Sequence, residues 1–132
     1  MQVVRAIGGR APLHLTATGK LGRAGAVPTQ SRSYAQRTGL AGHTRNSLTD
    51  FDQLQRELAQ VRRHRYARDI EEREMGVRCI AAGIQDDTGK LVAGLSISAP
   101  AERMRDEWID LLVHTAAGIS EALGYEPSAA RA

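Results

Sequence analysis

From Asp50 onward the apolar residues fall into a helical rhythm. Phe51, Leu54, Leu58 and Val61 recur at spacings of three and four, which puts them on one stripe and predicts a helix. Asp50 is placed to cap its N-terminus, with Gln53 three residues on in a loose capping-box pattern. The opposite face carries Arg56, Glu57, Arg62 and Arg63 and reads as solvated. "YARDI" (66–70) follows as a short strand, then the acidic "EERE" and Gly76. A last helix is expected from about Ala101 to Leu123, with Met104, Trp108, Leu111, Leu112, Thr115, Ile119 and Leu123 along one broad face and Gly124 as the residue that stops it. The first 49 residues are more weakly patterned. "QVVRAI" (2–7) reads as a strand and "APLHL" (11–15) as a second extended piece. Short helices are expected near Thr18 and from Pro28 to Gln36.

The stretch "GVRCIAAGIQDDTGKLVAGLSIS" (76–98) has the strongest two-fold alternation. With "DDTG" as a four-residue loop between antiparallel strands, Gln85 faces Lys90, Cys79 faces Ser96 and Val77 faces Ser98. Opposed residues share a side of the sheet. One side then holds Ile80, Ala82, Ile84, Leu91, Ala93, Leu95 and Ile97, bulky enough to want the Trp108 helix against it. The other holds Val77, Cys79, Ala81, Gly83, Val92, Gly94, Ser96 and Ser98. These side chains are too short to fill the space above them, and an apolar void is destabilising at about 24 cal/mol per Å³. The occupants open on pattern alone are another chain segment such as a closely packed helix, water, a subunit, or a small polar ligand over hydroxyls and a thiol set among apolar walls. Asp69, just upstream, lies within reach of the rim.

Composition narrows the classes. At 132 residues, 42% apolar and 25% charged, the chain is an ordinary one-domain length of globular protein. Aromatics at 4% are too few for a base-stacking platform. One cysteine permits no internal disulfide, and no apolar run reaches the length of a membrane span, so a cytoplasmic location is expected. Residues 1–49 contain seven basic residues and no acid, whereas residues 50–132 hold the other 11 basic residues and all 15 acids. The basic residues are dispersed, which suits scattered surface charge better than a nucleic-acid arm or a transit peptide. The fold class expected is α+β, an incomplete antiparallel sheet of about five strands flanked by helices.

The quoted stretches "PLHLTATGK", "RTGL…HT…LTD", "YARDIEEREMGVRCIAAGIQDDTGKLVAGLSIS", "AP…RM" and "AAGISEALG" resemble the effector-binding domain of IclR-type bacterial transcriptional regulators, from about residue 2 to residue 124. The joint spacing of "Y-A-x-D-x-E-E", "G-x-R-C-I-A-A" and "S-I-S-x-P" carries the likeness. The resemblance implies a GAF-like sensing domain that binds a small organic acid or aromatic metabolite and forms homodimers or homotetramers. DNA would be contacted only through a helix-turn-helix domain. It further implies that residues 1–124 are a domain truncated at its N-terminus, that 125–132 are a tail, and that the helix-turn-helix is absent. Carried over position by position, the effector pocket falls on Val3, Ala17, Thr18, Asp69, Val77, Cys79, Ser96 and Ser98, with Ala17 and Thr18 in a loop before a Gly19-Lys20 turn. No cofactor, metal site, catalytic residue or DNA-binding residue is expected within the chain.

Alternatives are a stand-alone or degenerate ligand-binding or oligomerisation module, and an enzyme with Cys79 as nucleophile. The four histidines have no spacing that would serve Cys79 as a base, and a lone cysteine is usually a small hydrophobe. His14 reads as a loop or core residue, and "EERE" as solvated.

Overall fold

The computed structural model describes residues 14, 16–24, 28–42 and 44–127. The strands expected at 2–7 and 11–15 lie outside the described residues, apart from His14, which is in a turn. In chain order the elements are α1 (Ala17–Ala24), α2 (Pro28–Thr38), α3 (Phe51–His64), β1 (Tyr66–Ile70), β2 (Val77–Gln85), β3 (Leu91–Pro100), a 3-10 turn (Ala101–Arg103) and α4 (Glu107–Ala122). Among the described residues β1, β2 and β3 form one antiparallel sheet in that order. Helices cover both of its faces, which is the α+β arrangement expected.

Each face has its own core. On one, Ala17, Leu21 and Ala24 of α1, Tyr34 of α2 and Leu54, Leu58 and Val61 of α3 close over Ala67 and Ala81 of the sheet. On the other, Ile109, Leu112 and Ala116 of α4 close over Ile80, Ala82 and Ile84. The stripe read from the sequence of α3 is therefore the buried one. Its start is capped as expected, with Asp50 Oδ1 accepting from the Asp52 N–H at 3.0 Å.

The last helix departs from its expected face. The chain from Ala101 to Asp106 is a 3-10 turn and linker, so α4 starts only at Glu107. Its buried positions are Ile109, Leu112, Ala116 and Ser120. Of the broad face expected above, Leu111, Thr115, Ile119 and Leu123 point outward, with Leu111 62% exposed, while Met104, Trp108 and Leu112 pack on the sheet. Two apolar stripes compete on this helix. The sheet takes the one whose alanine and serine permit close approach, and Ser120 Oγ accepts the Gln85 N–H at 3.0 Å.

The hairpin register is offset by two from the expected one. Cys79 pairs with Ser98, Ala81 with Ser96, Gly83 with Gly94 and Val77 with Pro100. Asp86 N–H donates to Lys90 O at 2.9 Å, so the loop closes one residue later than a four-residue turn would. A bulge between Ile84 and Gln85 then adds a second residue, leaving Val92 unpaired and 51% exposed. An offset of two preserves side-chain parity, so both faces of 93–98 are as read from the sequence. Leu91, on the far side of the bulge, crosses to the small face and packs on the α1–α3 core. Gly89 holds the turn at φ +81°, a conformation costly for any residue with a Cβ. Gly89→Ala is expected to lower unfolding stability by about 1 kcal/mol, read by urea denaturation.

Candidate functional site

Pairing places residues from three strands in rows across the small face. Asp69 of β1 lies opposite Cys79 of β2, which lies opposite Ser98 of β3. The next row is Ala67, Ala81 and Ser96. Helix α1 lies over part of this face. A Cβ on Gly94 would come within 3.1 Å of Thr18 Cγ2 and 3.4 Å of Leu21 Cδ1, and Ala17 and Ala81 are buried. Helix α1 packs over Ala81 and touches Gly94, and Leu91 of β3 covers Gly83, while Ser96 and Ser98 are exposed and Cys79 is half-buried beside them.

Ala17 and Thr18 are in the first turn of α1, not in a loop, and Gly19-Lys20 is helical rather than a turn. Thr16 caps this helix, its Oγ1 accepting the Gly19 N–H at 3.1 Å. That uses the Gly19 donor and leaves the N–H groups of Ala17 and Thr18 for a partner outside the helix. Val77 is half-buried at the end of the face, opposite Pro100. Val3 lies outside the described residues.

The sequence reading missed what anchors this arrangement. Lys20 is fully buried, and its Nζ donates to Arg68 O at 2.6 Å, lies 2.8 Å from the Glu72 carboxylate and reaches Glu57 Oε1 at 3.3 Å. One ammonium therefore ties α1 to β1, to the turn after β1 and to α3. Glu72 in turn accepts the Ile70 N–H at 2.9 Å, and Asp69 Oδ1 accepts the Glu72 N–H at 2.8 Å. Thr44 and Ser47 clamp the same turn through the carbonyls of Glu71 and Glu72. The "EERE" segment is consequently not simply solvated: Glu72 is buried, and Glu71 accepts the Gly76 N–H at 2.8 Å. A signal for Lys20 existed in its position, three residues after Ala17 and four before Ala24, on an otherwise apolar stripe.

Burial pushes the Asp69 carboxyl above its ordinary range, against the Glu72 N–H and the Lys20 charge, which favour the ionised form. Burial raises Glu72 likewise, opposed by Lys20. His14 is a core residue, its Nδ1 2.9 Å from the Tyr34 hydroxyl and Nε2 3.0 Å from Ala41 O. Among the described residues no group of three His, Cys, Asp or Glu is placed to hold a metal ion. No described helix is long and apolar enough to cross a membrane. A cleft of about 1200 Å³ opens between α1, α3 and α4, lined by Leu21, Val61, Gly83, Ala116 and Ser120 among others, and Asp69, Cys79, Ser96 and Ser98 lie away from it. The row on the small face sets a carboxyl, a thiol and a hydroxyl side by side, the kind of polar groups that orient a small molecule, so the candidate site is taken there rather than in the cleft.

Known proteins resemble the chain in sequence and shape. The sequence model of the family described as "Bacterial transcriptional regulator IclR C-terminal" matches residues 1–123. The HTH-type transcriptional repressor AllR of Salmonella paratyphi A is 38% identical over 128 residues, covering 94% of this chain and 47% of that protein. The chain thus spans about half the length of the curated relatives it matches. Among solved structures, a double mutant of the inducer-binding domain of the PobR transcription factor from Acinetobacter, in complex with 3-hydroxybenzoic acid, superimposes with a TM-score of 0.79 at 28% identity, covering 86% of this chain and 67% of that one. An IclR homologue from Microbacterium hydrocarbonoxydans, complexed with 4-hydroxybenzoate, gives 0.83 at 25% identity, covering 93% and 50%. These relatives are transcriptional regulators, not enzymes. The chain belongs to the IclR family of bacterial transcriptional regulators and is an effector-binding domain of that family.

Proposed function

We propose that the domain senses a small organic acid on the small face of its sheet. The observation that carries this is the row Asp69–Cys79–Ser98 with Ser96 beside it, which runs from the buried Asp69 to the exposed serines on a face partly covered by α1. The hydroxyls of Ser96 and Ser98 and the N–H groups of Ala17 and Thr18 are donors suited to a carboxylate. Cys79, Val77 and, from the family likeness, Val3 supply apolar wall. Asp69 accepts from a ligand hydroxyl or pairs with a ligand carboxyl. The two relatives above hold hydroxybenzoates, which have both groups.

In a full-length regulator the ligand's differential affinity for two arrangements would shift operator occupancy, with DNA bound through a separate helix-turn-helix domain. Homodimers or homotetramers are proposed on the same likeness, and the outward stripe Leu111, Ile119 and Leu123 on α4 is a surface such an assembly would cover.

Thermal unfolding of the purified chain with a panel of organic acids tests the reading. A bound acid at a hundred times its Kd should stabilise the domain by about 2.7 kcal/mol. Ser98→Leu fills the exposed end of the row and should remove that stabilisation while leaving the unliganded domain within about 0.5 kcal/mol of wild type. An acid that stabilises both proteins equally would place its site elsewhere.

A further inference from the structure

The charge balance beside the site is unfavourable for an anion. Asp69 and Glu72 are both buried, and the buried cation among them, Lys20, is already committed to Arg68 O, Glu57 and Glu72. Among the described residues the other charged or titratable groups facing Asp69 are few. Arg73, in the turn after β1, is exposed, Glu57 of α3 lies beyond Lys20, and the Cys79 thiol of β2 is the cross-strand neighbour. On β3 the row ends in the neutral Ser98. An organic acid seated on this row brings a second carboxylate up to Asp69 with no new cation among the described residues. Two carboxylates sharing one site cannot both stay ionised at ordinary cost, and one of them holds a proton.

We propose that the site takes up its organic acid together with one proton from solvent, lodged on Asp69, so that a carboxyl–carboxylate hydrogen bond joins Asp69 to the ligand. This rests on the site assigned under the proposed function. The balance is simple: solvent supplies H⁺, Asp69 becomes a neutral donor, and the ligand remains an anion that accepts. Asp69 is suited to the change because its carboxyl is fixed at the end of the row, opposite Cys79, by the Glu72 N–H on Oδ1 with the Arg73 backbone N–H beside it. Burial has also moved this carboxyl toward its neutral form before any ligand arrives. Asp69 is then a specificity-determining residue. It selects ligands with a carboxylate that can accept from a carboxylic acid, and it makes the sensor more responsive as pH falls.

The test is titration calorimetry of the chain with 4-hydroxybenzoate, 3-hydroxybenzoate and pyruvate. Each is run in two buffers of different ionisation enthalpy, over about pH 6 to 8, where carboxylic acids of ordinary pKa are fully ionised. Uptake approaching one proton per ligand is expected between the free and bound pKa of Asp69, with affinity falling up to tenfold per pH unit across that window. Asp69→Asn retains an acceptor for the Glu72 N–H and supplies a permanent amide donor. It should bind with no proton uptake and with a flat pH profile. Binding by the unmodified chain without proton uptake overturns this inference and leaves the site standing. Persistent uptake in Asp69→Asn overturns it too, by placing the proton elsewhere. Binding of none of the three probes removes the organic-acid site and this inference together.

Discussion

Lys20→Met is expected to cost about 3–5 kcal/mol, the range for breaking a buried ion pair by removing one partner. The side chain is 1% exposed, and its ammonium is shared by three oxygen partners from three segments. Removing it leaves Glu72 buried with no cation and frees Arg68 O. For domains with total stabilities of about 5–15 kcal/mol, that loss is enough to leave a substantial unfolded fraction. Chemical denaturation of the variant checks it. Adding Glu72→Gln to Lys20→Met should recover part of the loss, because a neutral amide keeps an acceptor for the Ile70 N–H without stranding a charge. Equal stability of Lys20→Met and wild type would show that the ammonium contributes nothing net.

Leu58→Ala should cost about 2–5 kcal/mol, the range for truncating a fully buried leucine. Leu58 is 0% exposed and belongs to the core that seats α1 on the sheet. Its loss opens a cavity beneath the helix that supplies the Ala17 and Thr18 N–H groups. Weaker acid binding should therefore accompany the lower denaturation midpoint, although Leu58 does not touch the proposed ligand position. A large stability loss with unchanged affinity would mean that the roof of the site is held by Lys20 alone.

Which parts of this arrangement could be read in advance follows from their physics. Segments whose period matches one buried surface were legible: α3 from Leu54, Leu58 and Val61, and β1 as Tyr66–Ile70. The two faces of the hairpin were legible because parity survives an even offset. The register was not, since the late-closing loop and the bulge at Val92 each add a residue that no alternation reports. Helix α4 carries apolar residues on two stripes, so periodicity could not choose between Leu111 and Ile109. Lys20 and Glu72 were missed for another reason. Charged residues are almost always exposed unless paired, and their pairing spans 52 positions, beyond any local pattern. The rows joining Asp69, Cys79 and Ser98 likewise depend on long-range pairing. Hairpin alternation already put Cys79 and the two serines on one side with Asp69 near the rim, and the family likeness named the four as one pocket.

The sheet is a single layer that divides the interior into two compartments with separate sets of residues. Substitutions in one compartment should combine additively with those in the other, provided that they are about 7–10 Å or more apart and share no partner. With the effector site on the α1 side, as proposed, its preference and any association surface on the α4 side can diverge independently across paralogues, because a strand residue that turns its side chain toward one chamber shows only its backbone to the other.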